Sequence, residues 1–145
     1  MKILVINGPN LNLLGKRDPA VYGTETLAGL TERMNSFAAK NGVRLEFFQS
    51  NSEGQILDRL QAAEGIDGVV LNPGGLTHTS VSLRDCIEAV GIPVIEVHIS
   101  NIFAREEFRR TSVVSAVCRG VISGLGCDGY LLALQHFIFA GAKGA

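Results

Sequence analysis

The chain is short of cysteine, of tyrosine and of any excess of charge. Cys86, Cys118 and Cys127 are its only cysteines in 145 residues. Three is an odd number and no C-x-x-C pair occurs, so they read as buried, reduced thiols of a cytoplasmic protein rather than a disulfide framework. Thirteen Lys+Arg stand against fourteen Asp+Glu, a net charge of -1. That balance excludes a nucleic-acid or membrane partner recruited by bulk charge. No run approaches the ~20 apolar residues of a membrane span. The first residues form no long apolar segment with a small-residue cleavage site, so no signal peptide is expected. Internal repeats, linkers and low-complexity tracts are also missing. What is present is a chain that is 46% hydrophobic, enough to bury a real core within one domain over residues 1–145. Near-zero charge with much apolar surface also suits burial in an oligomer.

Short apolar runs alternate with helical patterns. Lys2 to Asn7 predicts a buried strand, and a polar, Gly-rich loop over about residues 8–25 follows it. Thr26 is placed to cap a helix over Leu27–Lys40, stopped by Asn41-Gly42. Val43 to Gln49 predicts a second strand, and Ser52 to Glu64 a second helix. Asp67 to Leu71 is a third strand, Thr79 to Val90 a helix ended by Gly91, and Pro93 to His98 a fourth strand. Val117 to Ile122 is the fifth strand, and Gly126 to Ala140 a final helix carrying Tyr130 among its apolar positions. Strands that are apolar throughout, alternating with helices, predict an α/β fold with a parallel sheet covered on both faces. The flavodoxin-like strand order 2-1-3-4-5 is the expected topology.

In such sheets ligands bind at the carboxyl ends of the strands, and the polar clusters fall there. The first loop carries Asn10, Arg17 and Tyr22, one of only two tyrosines. Long loops in compact domains are usually functional, and a cation beside a phenol favours the phenolate. The segment therefore reads as a lid that carries its own base. After the third strand, Asn72-Pro73-Gly74-Gly75 leads through Thr77 and His78 into a helix whose first N–H groups favour anions. Alternation along the fourth strand puts Glu96 and His98 on one side. A carboxylate inside a central strand is costly unless it is paired. An acidic partner orients an imidazole and raises its basicity, which makes His98 a general acid/base candidate. Structural alternatives stand beside each reading. His78 could be an ordinary turn residue, Glu96 and His98 a structural buried pair, His136 a surface or packing residue. The charge run from Arg105 to Arg110 could be a solvated face. A Glu-x-His metal site with His78 is disfavoured because no Cys or further carboxylate has metal-like spacing. Gly124-Leu125-Gly126 better suits a strand–helix turn than a nucleotide loop. The residues together point to a small polar or anionic substrate, with proton abstraction by phenolate and donation by imidazolium.

At these positions the chain closely resembles type II 3-dehydroquinate dehydratase, also called type II dehydroquinase. The resemblance runs nearly end to end. It covers Ile6 through Gly15, Arg17-Asp18-Pro19 through Tyr22-Gly23, Gln49-Ser50-Asn51 with Glu53-Gly54, and Asn72-Pro73-Gly74 through Ser80. It continues in Glu96 through Asn101, Arg105 through Arg109, and Gly124-Leu125-Gly126 before Gly129-Tyr130. The resemblance implies reversible dehydration of 3-dehydroquinate to 3-dehydroshikimate, with no cofactor and no metal. It assigns Tyr22 as the base at C2, supported by Arg17, and Asn10 as holder of a water against the enolate oxygen. His98, oriented by Glu96, would protonate the departing C1 hydroxyl. Asn72 and the backbone N–H groups of Ile99 and Ser100 would hold the substrate carboxylate, and His78 and Arg109 its ring hydroxyls. Asp85 matches a residue that reaches into a neighbouring subunit's site. Trimers packed into a homododecamer are implied.

The chain departs from the family pattern at Gly75-Leu76, where Ala-Tyr is familiar, at Ser52, where His is common, and at Ala116, where Pro is usual. Leu76 touches packing near the site and so bears on affinity more than on reaction type. Two other functions compete. A flavodoxin-like binding module, either a flavin carrier or a receiver, would want a Ser/Thr-rich loop or acidic residues after the first strand, where Asn7 and Asn10 are neutral. Schiff-base dehydration would need a lysine at the site. Of Lys2, Lys16, Lys40 and Lys143, only Lys16 falls near the rim.

Overall fold

The computed structural model describes residues 1–144. Its centre is a five-stranded, all-parallel sheet in the order β2-β1-β3-β4-β5. The strands are β1 (Lys2–Asn7), β2 (Arg44–Gln49), β3 (Gly68–Asn72), β4 (Val94–His98) and β5 (Gly120–Ser123). This is the expected flavodoxin-like topology. Register runs in step at the functional ends, where Asn7 pairs with Asn72 between β1 and β3 and His98 with Ser123 between β4 and β5.

Period-two alternation divides the strand side chains between two cores. Ile3, Val5, Val70, Ile95 and Val97 pack with Leu30, Met34, Leu134 and Phe137 on one face. Leu4, Ile6, Val69, Leu71 and Val94 pack with Ile56, Leu60, Leu83 and Ile87 on the other. A fully buried leucine or isoleucine truncated to alanine typically costs about 2–5 kcal/mol, so both faces matter to stability. The helices that supply these residues, apart from one short turn in the first loop, are α2 and α5 on the first face and α3 and α4 on the second. In chain order they are α1 (Pro19–Tyr22), α2 (Leu27–Lys40), α3 (Glu53–Gln61), α4 (Val81–Val90) and α5 (Asp128–Gly144). Each of the three middle helices begins on a hydroxyl cap. Thr26, Ser52 and Ser80 accept from the N–H groups of Gly29, Gln55 and Leu83, which satisfies donors left free at a helix start.

The elements differ from the sequence expectations in several places. The segment over residues 8–25 is not one long loop. A 3-10 turn at Leu11–Leu13 sends Leu11 and Leu14 into the core, and Asp18 caps the α1 turn with Pro19 in its first position. The helix expected from Thr79 starts only at Val81, because Gly74–His78 winds as a 3-10 turn. The fifth strand begins at Gly120 rather than Val117. The Ser112 hydroxyl accepts from the N–H groups of Val114 and Ser115 and holds that stretch in a turn. α3 ends at Gln61, short of Glu64, and Gly65 follows in the left-handed region at φ 74°.

Candidate active site

One cleft at the carboxyl ends of β1, β3 and β4 is lined by Arg17, Tyr22, Asn72, His78, His98, Ile99, Ser100, Arg105 and Arg109, with Leu11, Gly74 and Ile102. Nine of the eleven residues proposed from the sequence therefore meet, eight lining the cleft and Glu96 directly behind it.

The lid contributes its cation and its phenol as a unit. Arg17 Nη2 donates to the Tyr22 hydroxyl at 3.1 Å, and the same guanidinium carbon sits 4.3 Å from the ring centroid. The α1 turn makes this possible, because it brings a residue five positions downstream of Arg17 back over it. Arg105 also approaches the ring, its guanidinium carbon 5.3 Å from the Tyr22 ring centroid, while Arg105 Nη1 donates to Ser100 Oγ at 3.1 Å. The phenol thus has two cations near its ring in a partly desolvated setting, where charge interactions are stronger than in water.

Opposite lies the buried pair on β4. Glu96 is wholly buried and His98 nearly so. His98 Nε2 lies 2.5 Å from Glu96 Oε1, and Ser115 Oγ donates to Glu96 Oε2 at 2.5 Å. Thr77 Oγ1 also donates to Oε1. A hydroxyl has one proton, so Ser112 donates to Thr77 at 2.7 Å, completing a relay that starts at the N–H groups of residues 114 and 115. Burial works against charge on Glu96, but the hydrogen bonds from His98, Ser115 and Thr77 outweigh it and hold the carboxyl below its ordinary value. An ionised carboxylate can only accept, so Nε2 of His98 carries the proton and Nδ1 is the atom left for the cleft.

His78 is oriented in the same manner. Its Nδ1 meets the carbonyl of Thr111 at 2.8 Å, so Nδ1 is the donor and Nε2 the free acceptor. Phe108 packs edge-on to its ring at 6.3 Å between centroids. Arg109 is steadied by Glu106 Oε2 at 2.5 Å from its Nε, which leaves the other guanidinium nitrogens for a ligand. Asn72 is nearly buried, its Oδ1 accepting from Gly74 N–H at 3.1 Å.

Two proposed residues stand apart within this chain. Asn10 is exposed, in the left-handed region at φ 71°, with its N–H donating to Asn51 Oδ1 at 2.9 Å. Asparagine tolerates that conformation better than most residues. Asp85 is exposed on α4 and does not line the cleft. Other residues were missed by sequence reasoning. Arg105 was readable only as part of a charge run, although its spacing of four from Arg109 was the available signal. Thr77, Ser112 and Ser115 carried none, because hydroxyls scattered over thirty-odd residues converge on Glu96 only in three dimensions. The cysteines take no part in the cleft. Burial pushes the Cys118 thiol, with help from the Glu96 charge, and the Cys127 thiol each up to about 12. Among the described residues no group of three or more His, Cys, Asp or Glu is arranged to hold a metal, and no helix is long and apolar enough to cross a membrane.

Fold and cleft together define an open α/β protein of the flavodoxin-like kind, with a paired phenol and guanidinium facing an anchored imidazole. The family model described as "Dehydroquinase class II" matches residues 1–138. The 3-dehydroquinate dehydratase of Thermotoga neapolitana is 57% identical over 136 residues, covering 94% of this chain and 93% of that one. That of Desulforudis audaxviator is 52% identical over 145 residues, covering 99% and 97%. The crystal structure of type II dehydroquinase from Butyrivibrio crossotus superposes with a TM-score of 0.93 at 48% identity, covering 94% of this chain and 97% of its own. The chain belongs to the class II dehydroquinase family.

Proposed function

We propose that this cleft removes water from 3-dehydroquinate to give 3-dehydroshikimate, with Tyr22 as base and His98 as acid. The reaction class rests on the family, whose members bearing the name 3-dehydroquinate dehydratase align over nearly the whole chain. The assignment of roles rests on one observation: an Arg17-bonded phenol and a Glu96-anchored imidazole line the same cleft. An unperturbed phenol ionises near pH ~10, and a guanidinium on its oxygen is the arrangement that compensates negative charge there.

The Tyr22 phenolate takes the proton from C2, beside the C3 ketone. The electron pair moves onto the ketone oxygen as an enolate. Asn10 holds a water against that oxygen, an oxyanion-type role. The enolate then collapses to form the C1–C2 double bond as the C1–O bond breaks. His98, as imidazolium, protonates the leaving hydroxyl, which departs as water. Asn72 and the N–H groups of Ile99 and Ser100 hold the substrate carboxylate, while His78 and Arg109 take ring hydroxyls. Asp85, exposed on α4, serves the cleft of a neighbouring subunit in a dodecamer of trimers. The step stands in the shikimate pathway, and quinate breakdown uses the same conversion. A cytoplasmic setting fits the three unpaired thiols.

The test is absorbance of the conjugated enone on adding 3-dehydroquinate to metal-free protein, with Tyr22→Phe and His98→Ala beside it. Tyr22→Phe should lose about a hundredfold to ten-thousandfold in kcat, the usual range for a general base, while still binding substrate. His98→Ala should lose dehydration more than hydrogen exchange at C2. Near-normal turnover by Tyr22→Phe would remove the phenol as base, and C2 exchange lost in step with dehydration would remove His98 as acid.

A further inference from the structure

The second tyrosine lies fully buried beneath the cleft, and nothing in the proposed reaction uses it. Tyr130 sits on α5 with no exposed surface, and its hydroxyl reaches the carboxyl ends of β1 and β3. There it joins two asparagines paired in the sheet register, Asn7 and Asn72. Asn72 Nδ2 meets the Tyr130 hydroxyl at 2.8 Å, and the Tyr130 hydroxyl meets Asn7 Oδ1 at 2.6 Å. Burial pushes the Tyr130 phenol above its ordinary range, so it stays neutral and keeps its one proton.

The direction of every bond in this chain follows from that proton. Gly74 N–H can only donate, so the Asn72 atom facing it is Oδ1. The atom facing Tyr130 is then Nδ2, which can only donate. The phenol oxygen accepts it and spends its own proton on Asn7 Oδ1. An amide nitrogen has two hydrogens, and one is held by Tyr130. The second belongs to a residue that lines the cleft. Turned the other way, the same amide would offer the cleft an acceptor, which repels an anion.

We infer that Tyr130, backed by Asn7, is a positioning residue that sets the Asn72 amide with its N–H toward the cleft and so makes that subsite select a carboxylate over a neutral amide. The inference rests on the reading that Asn72 binds the substrate carboxylate. Gly74 N–H gives a second hold on the amide, so the loss of Tyr130 weakens the orientation rather than abolishing it.

The experiment compares 3-dehydroquinate with its carboxamide analogue, measured as KM, or as inhibition where the analogue does not turn over, together with kcat. Wild type, Tyr130→Phe, Asn7→Ala and Asn72→Ala are run side by side. Removing one net hydrogen bond changes an equilibrium by about fivefold. Tyr130→Phe should therefore narrow the preference for carboxylate over carboxamide by about that factor, with kcat nearly unchanged. Asn7→Ala keeps the packed phenol but frees its proton to donate to Asn72, so it should narrow the same ratio even if Tyr130→Phe folds poorly. A purely structural role would move both ligands together and leave the ratio intact, which overturns the inference. If Asn72→Ala itself leaves the ratio intact, the carboxylate reading of Asn72 falls first. If Asn72→Ala collapses the ratio and neither Tyr130→Phe nor Asn7→Ala narrows it, the reading stands and Tyr130 has no positioning role.

Discussion

Glu96 shows how a single buried charge is kept useful. A lone carboxylate inside a sheet would neutralise itself by taking up a proton. Here two hydroxyls and an imidazole donate to it, and its carboxyl is held below the ordinary value despite burial. The sign of the consequence is definite. A carboxyl depressed in the folded state adds stability that is fully present above its unfolded value, near ~4.3. That stability is lost as pH falls through the lower, folded value. Ser115→Ala removes one donor to a charged acceptor and should cost about 1.5–3 kcal/mol at pH 7. The cost should shrink in acid as the carboxyl protonates. Denaturant melts at pH 7 and in the acid window check this, and an equal loss at both would mean that Ser115 does not act through the Glu96 charge. At this scale Glu96 and His98 were readable in advance from alternation alone. Thr77, Ser112 and Ser115 were not, since hydroxyls have no periodicity and their meeting depends on two turns.

Among the elements, the ends of β1 and β3 are built to touch. Gly8 N–H donates to the Asn72 carbonyl at 2.8 Å, and a Cβ on Gly8 would stand 2.7 Å from the Pro73 carbonyl oxygen. That oxygen belongs to the backbone and cannot rotate away. Gly8→Ala should destabilise the protein by about 1–3 kcal/mol, as overpacking usually does, and shift Asn72 in the cleft. Gly75→Ala is the matched control, with open space at its Cβ. Chemical denaturation of both variants checks this, and a Gly8→Ala protein as stable as Gly75→Ala would refute the close approach. The elements of the sheet and of α2 were legible because apolar periodicity and a Thr cap are local signals. The lid's internal turns and the late start of β5 were not. Leu11 and Leu14 are drawn into the core, and Ser112 gathers the N–H groups of the next turn, and both are tertiary events.

For the whole molecule, the exposed apolar side chains Phe103, Phe108, Leu125 and Phe139 are surface that association could bury. If the dodecamer implied by the family resemblance forms, light scattering at micromolar concentration should give a mass many times the 15.5 kDa of one chain, and Asp85→Ala should lower activity although Asp85 lies outside its own chain's cleft. A particle of single-chain mass with full activity would overturn both expectations. By itself, the sequence determined the α/β class and the rim on which the chemistry gathers, because apolar periodicity and strand-end polarity are carried by neighbouring residues, whereas the expected strand order became fact only in the sheet's pairings. Only the tertiary structure decided which way the side chains of that rim point. The faces of His78 and Asn72 are set by partners 33 and 58 positions away, and hydrogen-bond direction between distant residues exists only once the fold has brought them together.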